Sequence, residues 1–245
     1  MNIKESERLD EIGFGGLKLI QKPQDFCYGV DAVLLADFAA NTAKKKSAII
    51  DLGTGTGIVP VILSHKTAAA RICGVEIQAD SYERAVRNVK LNGLEDRVDM
   101  LCCNVKDIDR SLKGCFDTVT SNPPYMEMGN ALVNGLTAKT IARHEVYARL
   151  EDFIAAAAFL LEERGELFMV HRPSRLADIM YYARKHRLEP KTMRFVCPKS
   201  GQAANIVLIH CIKNAGRELK LLPELYVYNG DGTYTDEIQR IYERD

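Results

Sequence analysis

Four short stretches of this 245-residue chain carry side chains able to do chemistry, and each follows a strand-like apolar run. The first, D-L-G-T-G-T-G from Asp51 to Gly57, places glycines at Gly53, Gly55 and Gly57. Without a Cβ at these positions, a ligand can come close to the backbone. A dinucleotide fingerprint would need glycine where Ile58 stands, and the Lys and Ser/Thr of a phosphate loop are also missing. Glu76, in "GVEIQ", lies about 20 residues on, where an acid can accept hydrogen bonds from ribose hydroxyls. Asp107, in "NVKDI", follows the next strand and is placed to meet the exocyclic amine of an adenine. The last stretch, S-N-P-P-Y from Ser121 to Tyr125, sets an amide, two prolines and a phenol in one stiff turn. Taken singly, either acid is more often a helix cap or a surface charge. All four at successive strand ends describe a pocket for S-adenosylmethionine beside a reactive site.

Elements of a particular kind must hold these residues. "SAIIDLG", "RICGVEI", "RVDMLCCNV" and "FDTVTSNPP" are short buried strands. Between them, "GIVPVILSHK" starts a helix with Pro60 in its first turn, and "DSYERAVRNVKLNG" reads as a helix from Asp80 closed by Gly93. "EVYARLEDFIAAAAFLLEERG" is expected to be one long amphipathic helix ending at Gly165. "ELFMVHR", the helix "RLADIMYYARKHRL", "KTMRFVC" and "NIVLIHCIK" continue the alternation. This order predicts an α/β fold: a doubly wound, mostly parallel sheet with helices on both faces. Ahead of it, residues 1–46 suggest a small hairpin and a helix from about Asp31; behind it, residues 216–245 carry an N-G-D-G turn and a short helix. With no repeat or linker, 1–245 reads as a single domain with its core over 47–215.

Composition narrows the class. Hydrophobic residues make up 47% of the chain and charged residues 27%, as in a globular protein. The longest apolar run, "FIAAAAFLL", is short of a membrane span, and the charged N-terminus carries no secretory h-region. Seven scattered cysteines without a C-x-x-C pair fit reduced thiols and a cytoplasmic setting, and no histidine spacing suggests a metal site. Formal net charge is zero, but His171 to Lys220 holds eleven Lys/Arg against three Asp/Glu, an excess suited to a polyanionic partner. Within it, Arg172, Arg175, Lys191, Arg194 and Lys199 are candidates for phosphate contacts, with solvated surface charge as the competing reading.

The glycine turn, Glu76 and Asn122, Pro123, Pro124 and Tyr125 together resemble the class I S-adenosylmethionine-dependent N-methyltransferases with an N-P-P-Y motif. The resemblance implies a Rossmann-like seven-stranded sheet whose last strand is antiparallel. It also implies that the Asn122 side-chain carbonyl and the Pro123 backbone carbonyl accept hydrogen bonds from a target amine. Its lone pair is then freed from the ring and aimed at the methyl group. Tyr125 offers a face for a flipped-out base, and the prolines keep the acceptors preorganised. S-adenosylhomocysteine leaves as product, with no metal needed. "DFCYGVDAVLLADFA", "ARHE", "HRPSRLAD", "RFVCPKSGQAANIVLIHCIKNA" and "YNGDGTYTDEI" are similar to the bacterial methyltransferases acting on N6 of adenosine 37 in tRNA1(Val). That likeness implies a tRNA partner and suggests that Tyr28, Gly29 and Asp31 close the cofactor pocket. Arg143 and His144 follow the N-P-P-Y loop, where they can order it over the substrate, with a helix cap as the equal reading of His144.

Three other enzymes share parts of this pattern. Protein glutamine N5-methyltransferases carry an added N-terminal helical domain, and residues 1–46 read as a hairpin and one helix. Ribosomal RNA guanine N2-methyltransferases often carry a duplicated domain, and DNA adenine methyltransferases a target-recognition insert. A non-enzymatic RNA-binding protein that kept the fold tends to lose one of these motifs, and all stand intact here.

Overall fold

The computed structural model describes residues 3–25, 27–44, 47–125 and 148–243. Its centre is β3 (Ala48–Leu52), whose Ile49, Ile50 and Leu52 are all buried. A run without polar alternation suits a strand covered on both faces. Ile49 joins one apolar cluster and Ile50 and Leu52 the other, because successive side chains leave opposite faces. Parallel neighbours flank β3: β4 (Arg71–Glu76) on one side and β6 (Phe116–Ser121) on the other. β5 (Val98–Cys102) follows β4 outward, while β7 (Leu161–His171), β9 (Ile206–Lys213) and β8 (Leu188–Cys197) follow β6. β9 runs antiparallel to β7 and β8, so the last long strand is reversed as expected. Two short strands, β10 (Lys220–Leu221) and β11 (Leu225–Tyr226), extend the outer edge of β8.

Helices cover both faces. Helices α1 (Val30–Thr42) and α2 (Ile58–Lys66) bury Leu34, Leu35, Val61 and Ile62 in the first cluster. On the same face, α3 (Ala79–Leu91) contributes Val89, and the C-terminal α6 (Asp236–Ile241) adds Ile238 and Ile241. On the second face, α4 (Leu150–Leu160) and α5 (Leu176–Lys185) bury Phe153, Ile154, Ile179 and Ala183. Among the described residues no helix is long and apolar enough to cross a membrane.

The chain winds from β3 out to β5 and then returns to place β6 on the other side of β3. Strand order therefore reverses between β3 and β6. In open α/β sheets a crevice opens at that point, beyond the carboxyl ends of the strands.

Two expectations need correction. The helix drawn to Gly165 stops at Leu160, and Leu161 already pairs with Phe116 of β6. The Lys213 ammonium takes the carbonyls of Ala158 and Leu161, at 2.7 Å each, and Arg164 adopts a left-handed φ of 65°. Apolar periodicity continued through "LLEERG", but the orphan carbonyls of the last helical turn found a side-chain cation instead. Likewise β8 begins at Leu188 and admits Pro190, beside a register shift where the missing N–H is tolerated.

The N-terminal hairpin, β1 (Arg8–Gly13) and β2 (Leu17–Gln21), is antiparallel and docks on α3 through side-chain amides. Asn88 Oδ1 accepts Ile20 N–H at 2.6 Å, and its Nδ2 donates to Ile20 O at 3.2 Å and Thr56 O at 2.9 Å. One turn on, Asn92 Oδ1 accepts Lys18 N–H at 2.9 Å and its Nδ2 donates to Lys18 O at 2.8 Å. Four helical residues rise about 6 Å and two strand residues about 6.8 Å, so the amides match alternate peptide groups of β2. The free edge of the hairpin is thus paired without another strand.

Asn88 is fully buried, whereas Asn92 bonds at the exposed rim. Asn88→Ala should therefore lower the unfolding free energy by about 3 kcal/mol and Asn92→Ala by about 1 kcal/mol. Urea denaturation of the two variants checks this, and equal losses would show that burial does not set the difference.

Candidate active site

The glycine turn leaves β3 at the reversal of strand order. Gly53 and Thr54 both donate to Val75 O at 2.9 Å, which folds the turn back over β4. Gly55 and Gly57 have φ of 58° and 83°, in the left-handed region that favours glycine. Gly57 caps α2, and a Cβ there would lie 2.9 Å from Met100 Cε. At Gly55 a Cβ would meet nothing within 4 Å, so this stretch of backbone faces open space.

Glu76 ends β4 and is buried. Its Oε2 accepts Gly55 N–H at 2.9 Å and its Oε1 accepts Gln78 N–H at 2.7 Å. The carboxylate thus holds the glycine turn, and each oxygen keeps a lone pair for a further donor. Asp107 is exposed at the end of the 3-10 turn Val105–Asp107, which follows β5 at the same end of the sheet.

Asp51, the first residue of the glycine motif, lies below the turn in β3. It is buried between strands, and it accepts the Thr120 hydroxyl of β6 at 2.7 Å. Burial pushes its carboxyl up to about 7, the Thr120 bond opposes the rise, and the Glu76 charge adds to it. Asp51 therefore acts on the seam under the turn.

N-P-P-Y leaves β6 beside the glycine turn. Ser121 Oγ donates to Leu52 O at 3.0 Å, tying the two strand ends together. The Tyr125 hydroxyl lies 2.7 Å from Asp31 Oδ2 and 2.6 Å from Asn122 Oδ1. The Arg172 guanidinium covers the Tyr125 ring at 4.9 Å from its centroid, and the His171 ring meets it at 5.0 Å and 61°. Burial first, then the Asp31 charge, holds the phenol well above its ordinary range, so it keeps its proton. His171 is fully buried, and burial followed by the nearby Arg175 charge lowers it to about 4. Its Nδ1 accepts Arg172 N–H at 2.8 Å, so the neutral ring carries its proton on Nε2.

Asn122, Tyr125, Asp31 and Arg172 thus form one cluster, with Gly29 as the N-cap of α1 and Tyr28 N–H donating to Gln21 Oε1 at 3.0 Å. Arg172 also donates to Asn205 O, and Arg175 bonds Asp178 at 2.7 Å. The remaining basic candidates are dispersed. Lys191 donates to Gly216 O and Arg217 O near the amino end of β8. Arg194 pairs with Glu237 at 2.7 Å, and Lys199 reaches Gly230 O at 3.4 Å. Arg143 and His144 lie outside the described residues. Sequence reasoning gave no role to Thr120, Ser121 or His171; for the first two, the polar residues of the buried strand "FDTVTS" were the available signal.

The Asp51 environment has a pH consequence. Its folded-state carboxyl stays protonated up to about 7, whereas an unfolded Asp titrates near 4. The native state then binds the extra proton between those values, so Asp51 weakens stability as pH rises through that window. Asp51→Asn, which cannot ionise, should gain melting temperature relative to the parent between pH 4 and pH 8. Parallel melting curves across that range would contradict this.

Comparison with known proteins agrees with this geometry. The family profile described as Methyltransferase small domain matches residues 21–181, more than half of the chain. A tRNA1(Val) (adenine(37)-N6)-methyltransferase of Porphyromonas gingivalis is 32% identical over 167 residues, 65% of this chain. The chain spans 64% of that relative's length. A protein of the same name from Mannheimia succiniciproducens is 29% identical over 216 residues, 85% of this chain and 83% of the relative. In fold, the chain is similar to a predicted O-methyltransferase from Agrobacterium tumefaciens, with TM-score 0.70 and 22% identity over 87% of this chain and 95% of the other. It also resembles P. horikoshii TYW2, solved with MeSAdo, at TM-score 0.61 and 14% identity over 86% and 73% of the two chains. The matched residues include both the glycine turn and the N-P-P-Y turn, which meet where strand order reverses, and the chain belongs to the methyltransferase small domain family.

Proposed function

We propose that this chain is an S-adenosylmethionine-dependent methyltransferase that modifies the exocyclic N6 of an adenosine in RNA, adenosine 37 of a tRNA such as tRNA1(Val). The observation that carries the reading is the adjacency of the two turns. The glycine turn and N-P-P-Y leave neighbouring strands β3 and β6, joined at Leu52 and Ser121. The names of the relatives from Porphyromonas gingivalis and Mannheimia succiniciproducens support adenine N6 as the target.

The residues present fit the cofactor. Open space over Gly55, the spare lone pairs of buried Glu76 and the exposed Asp107 lie along three strand ends. Glu76 would hold the ribose hydroxyls and Asp107 the adenine amine. Tyr28, Gly29 and Asp31 would close the near side. Bound there, S-adenosylmethionine supplies an electrophilic methyl group on sulfonium.

The protein's own part is to prepare the nucleophile. An adenine N6 lone pair is delocalised into the ring and attacks poorly. In this reading the Asn122 amide carbonyl and the Pro123 carbonyl accept its two N–H groups and favour a tetrahedral nitrogen. Such acceptors are stronger partners of the transition state than of the ground state. Pro123 is buried and Asn122 half-buried at the end of a strand whose six residues are all buried, so little reorganisation is needed. After transfer the proton passes to solvent. In this reading Arg172, beside Tyr125, and Arg175 would meet backbone phosphates near the target, and Lys191, Arg194 and Lys199 would serve a wider RNA footprint.

Single-turnover transfer from labelled cofactor to unmodified tRNA, with nucleoside mass spectrometry, tests the reading. Asn122→Ala should slow transfer by about 10²–10³-fold while cofactor affinity stays near the parent value. A parent-like rate would remove Asn122 from the amine, and transfer to protein instead of tRNA would replace adenine by a side-chain amide. For the cofactor, Glu76→Ala should weaken binding by about 10- to 150-fold, since a charged acceptor is worth about 1.5–3 kcal/mol. Glu76→Gln should lose less, because its carbonyl can still take Gly55 N–H. Calorimetry showing parent affinity in folded Glu76→Ala would exclude the ribose role.

A further inference from the structure

Three oxygens stand in a row at the mouth of the site. Asp31 Oδ2 is 2.7 Å from the Tyr125 hydroxyl, and Asn122 Oδ1 is 2.6 Å from it on the other side. A phenol has one proton, so it can donate along only one of these contacts. The other contact needs a proton from its own partner.

Two arrangements satisfy both. In the first, Asp31 is protonated and donates to the Tyr125 oxygen, and Tyr125 donates to the Asn122 carbonyl. In the second, Asp31 is a carboxylate that takes the Tyr125 proton. The Asn122 amide then makes a half-turn so that its NH2 donates to the Tyr125 oxygen, an exchange of N and O that moves almost no atoms.

The surroundings favour the second. Asp31 lies in the first turn of α1, where unpaired N–H groups favour an anion, and its Oδ1 accepts Ala32 N–H at 2.9 Å. The Arg172 cation sits over the ring that joins the two side chains. Gly29 also makes room for this carboxylate, since a Cβ there would lie 2.8 Å from Asp31 Oδ1. The phenol keeps its proton in this setting and is available as the donor.

We infer that Asp31 is a positioning residue: by accepting the Tyr125 hydroxyl proton it makes Tyr125 an acceptor for the Asn122 NH2 group, which turns the Asn122 carbonyl away from Tyr125 and leaves it free for a substrate amine. The inference rests on the methyltransferase reading for the use made of that carbonyl, and on the hydroxyl geometry alone for the orientation itself. It gives the Tyr125 hydroxyl a task separate from the aromatic face. It also assigns Asp31 a role other than direct contact with the cofactor.

The test has two arms. The first reads the amide directly: the Asn122 side-chain NH2 signals in a 15N-correlated spectrum, assigned by their loss in Asn122→Ala. In the parent they should be resolved and protected from solvent exchange; in Tyr125→Phe the protection should be lost, with the melting temperature followed as a check on folding. The second arm is a double-mutant cycle on single-turnover transfer to tRNA. Asp31→Asn can offer its own NH2 to the Tyr125 oxygen, which releases the phenol proton to capture the Asn122 carbonyl. With cofactor saturating, Asp31→Asn and Tyr125→Phe should each slow transfer by about 10- to 100-fold. The double variant should be no slower than Tyr125→Phe within about twofold, because both act through one contact. Unchanged amide protection in Tyr125→Phe, or losses that multiply in the double variant, would overturn the inference. If the parent methylates no nucleic acid, the methyltransferase reading falls, and the amide spectra still decide the orientation.

Discussion

The site is built across one seam, the junction of β3 with β6. Thr120 donates to Asp51 at 2.7 Å inside that seam, and Ser121 donates to Leu52 O at its end. The chain must cross the sheet to bring β6 back beside β3, so their carboxyl ends are the place where two turns distant in sequence can meet. If the seam slipped by one residue, every side chain of β6 would change face. Asn122 would then lie among the apolar residues under α4 rather than beside the glycine turn. The rest of the site follows from the register that these two hydroxyls help to hold.

A second constraint is that strand ends and turns leave peptide groups without partners. The protein meets it with side chains whose chemistry is also wanted for function. Glu76 holds Gly55 N–H and Gln78 N–H while keeping lone pairs for a ligand. Asn88 and Asn92 serve the hairpin edge, and Asn88 also reaches Thr56 O within the glycine turn. The N-terminal hairpin is thereby linked to the glycine turn.

Such an arrangement costs stability. Asp51, Glu76 and Asp31 are three buried acids near one set of strand ends, and the Glu76 charge helps to raise the Asp51 carboxyl to about 7. A buried carboxyl raised to about 7 is a weak structural choice and a common feature of functional clefts. His171 adds a buried neutral ring against Tyr125. Large apolar surfaces on both faces of the sheet offset these terms, with Phe116, Phe168, Leu52 and Ile62 all fully buried.

By itself the sequence determined the alternation of elements, the doubly wound sheet and the four strand-end stretches. These depend on local signals: unbroken apolar runs, Gly93 closing α3, and glycines where left-handed backbone is needed. It also singled out Glu76, Asn122 and Tyr125, because each follows an apolar run that is legible without any long-range contact. Where competing interactions came from distant residues, it could not decide. The end of α4 depended on Lys213, some fifty residues on, and the place of Asp51 depended on Thr120 across the seam. The basic stretch from His171 to Lys220 looked uniform in sequence, but strand direction sent Arg172 to the N-P-P-Y turn and Lys191 to the amino end of β8. Only the tertiary structure brought Asp31 to the Tyr125 hydroxyl, ninety-four residues away. A hydrogen bond of that reach leaves no periodicity in the chain, since it is set by how α1 and β6 pack and not by anything near either residue.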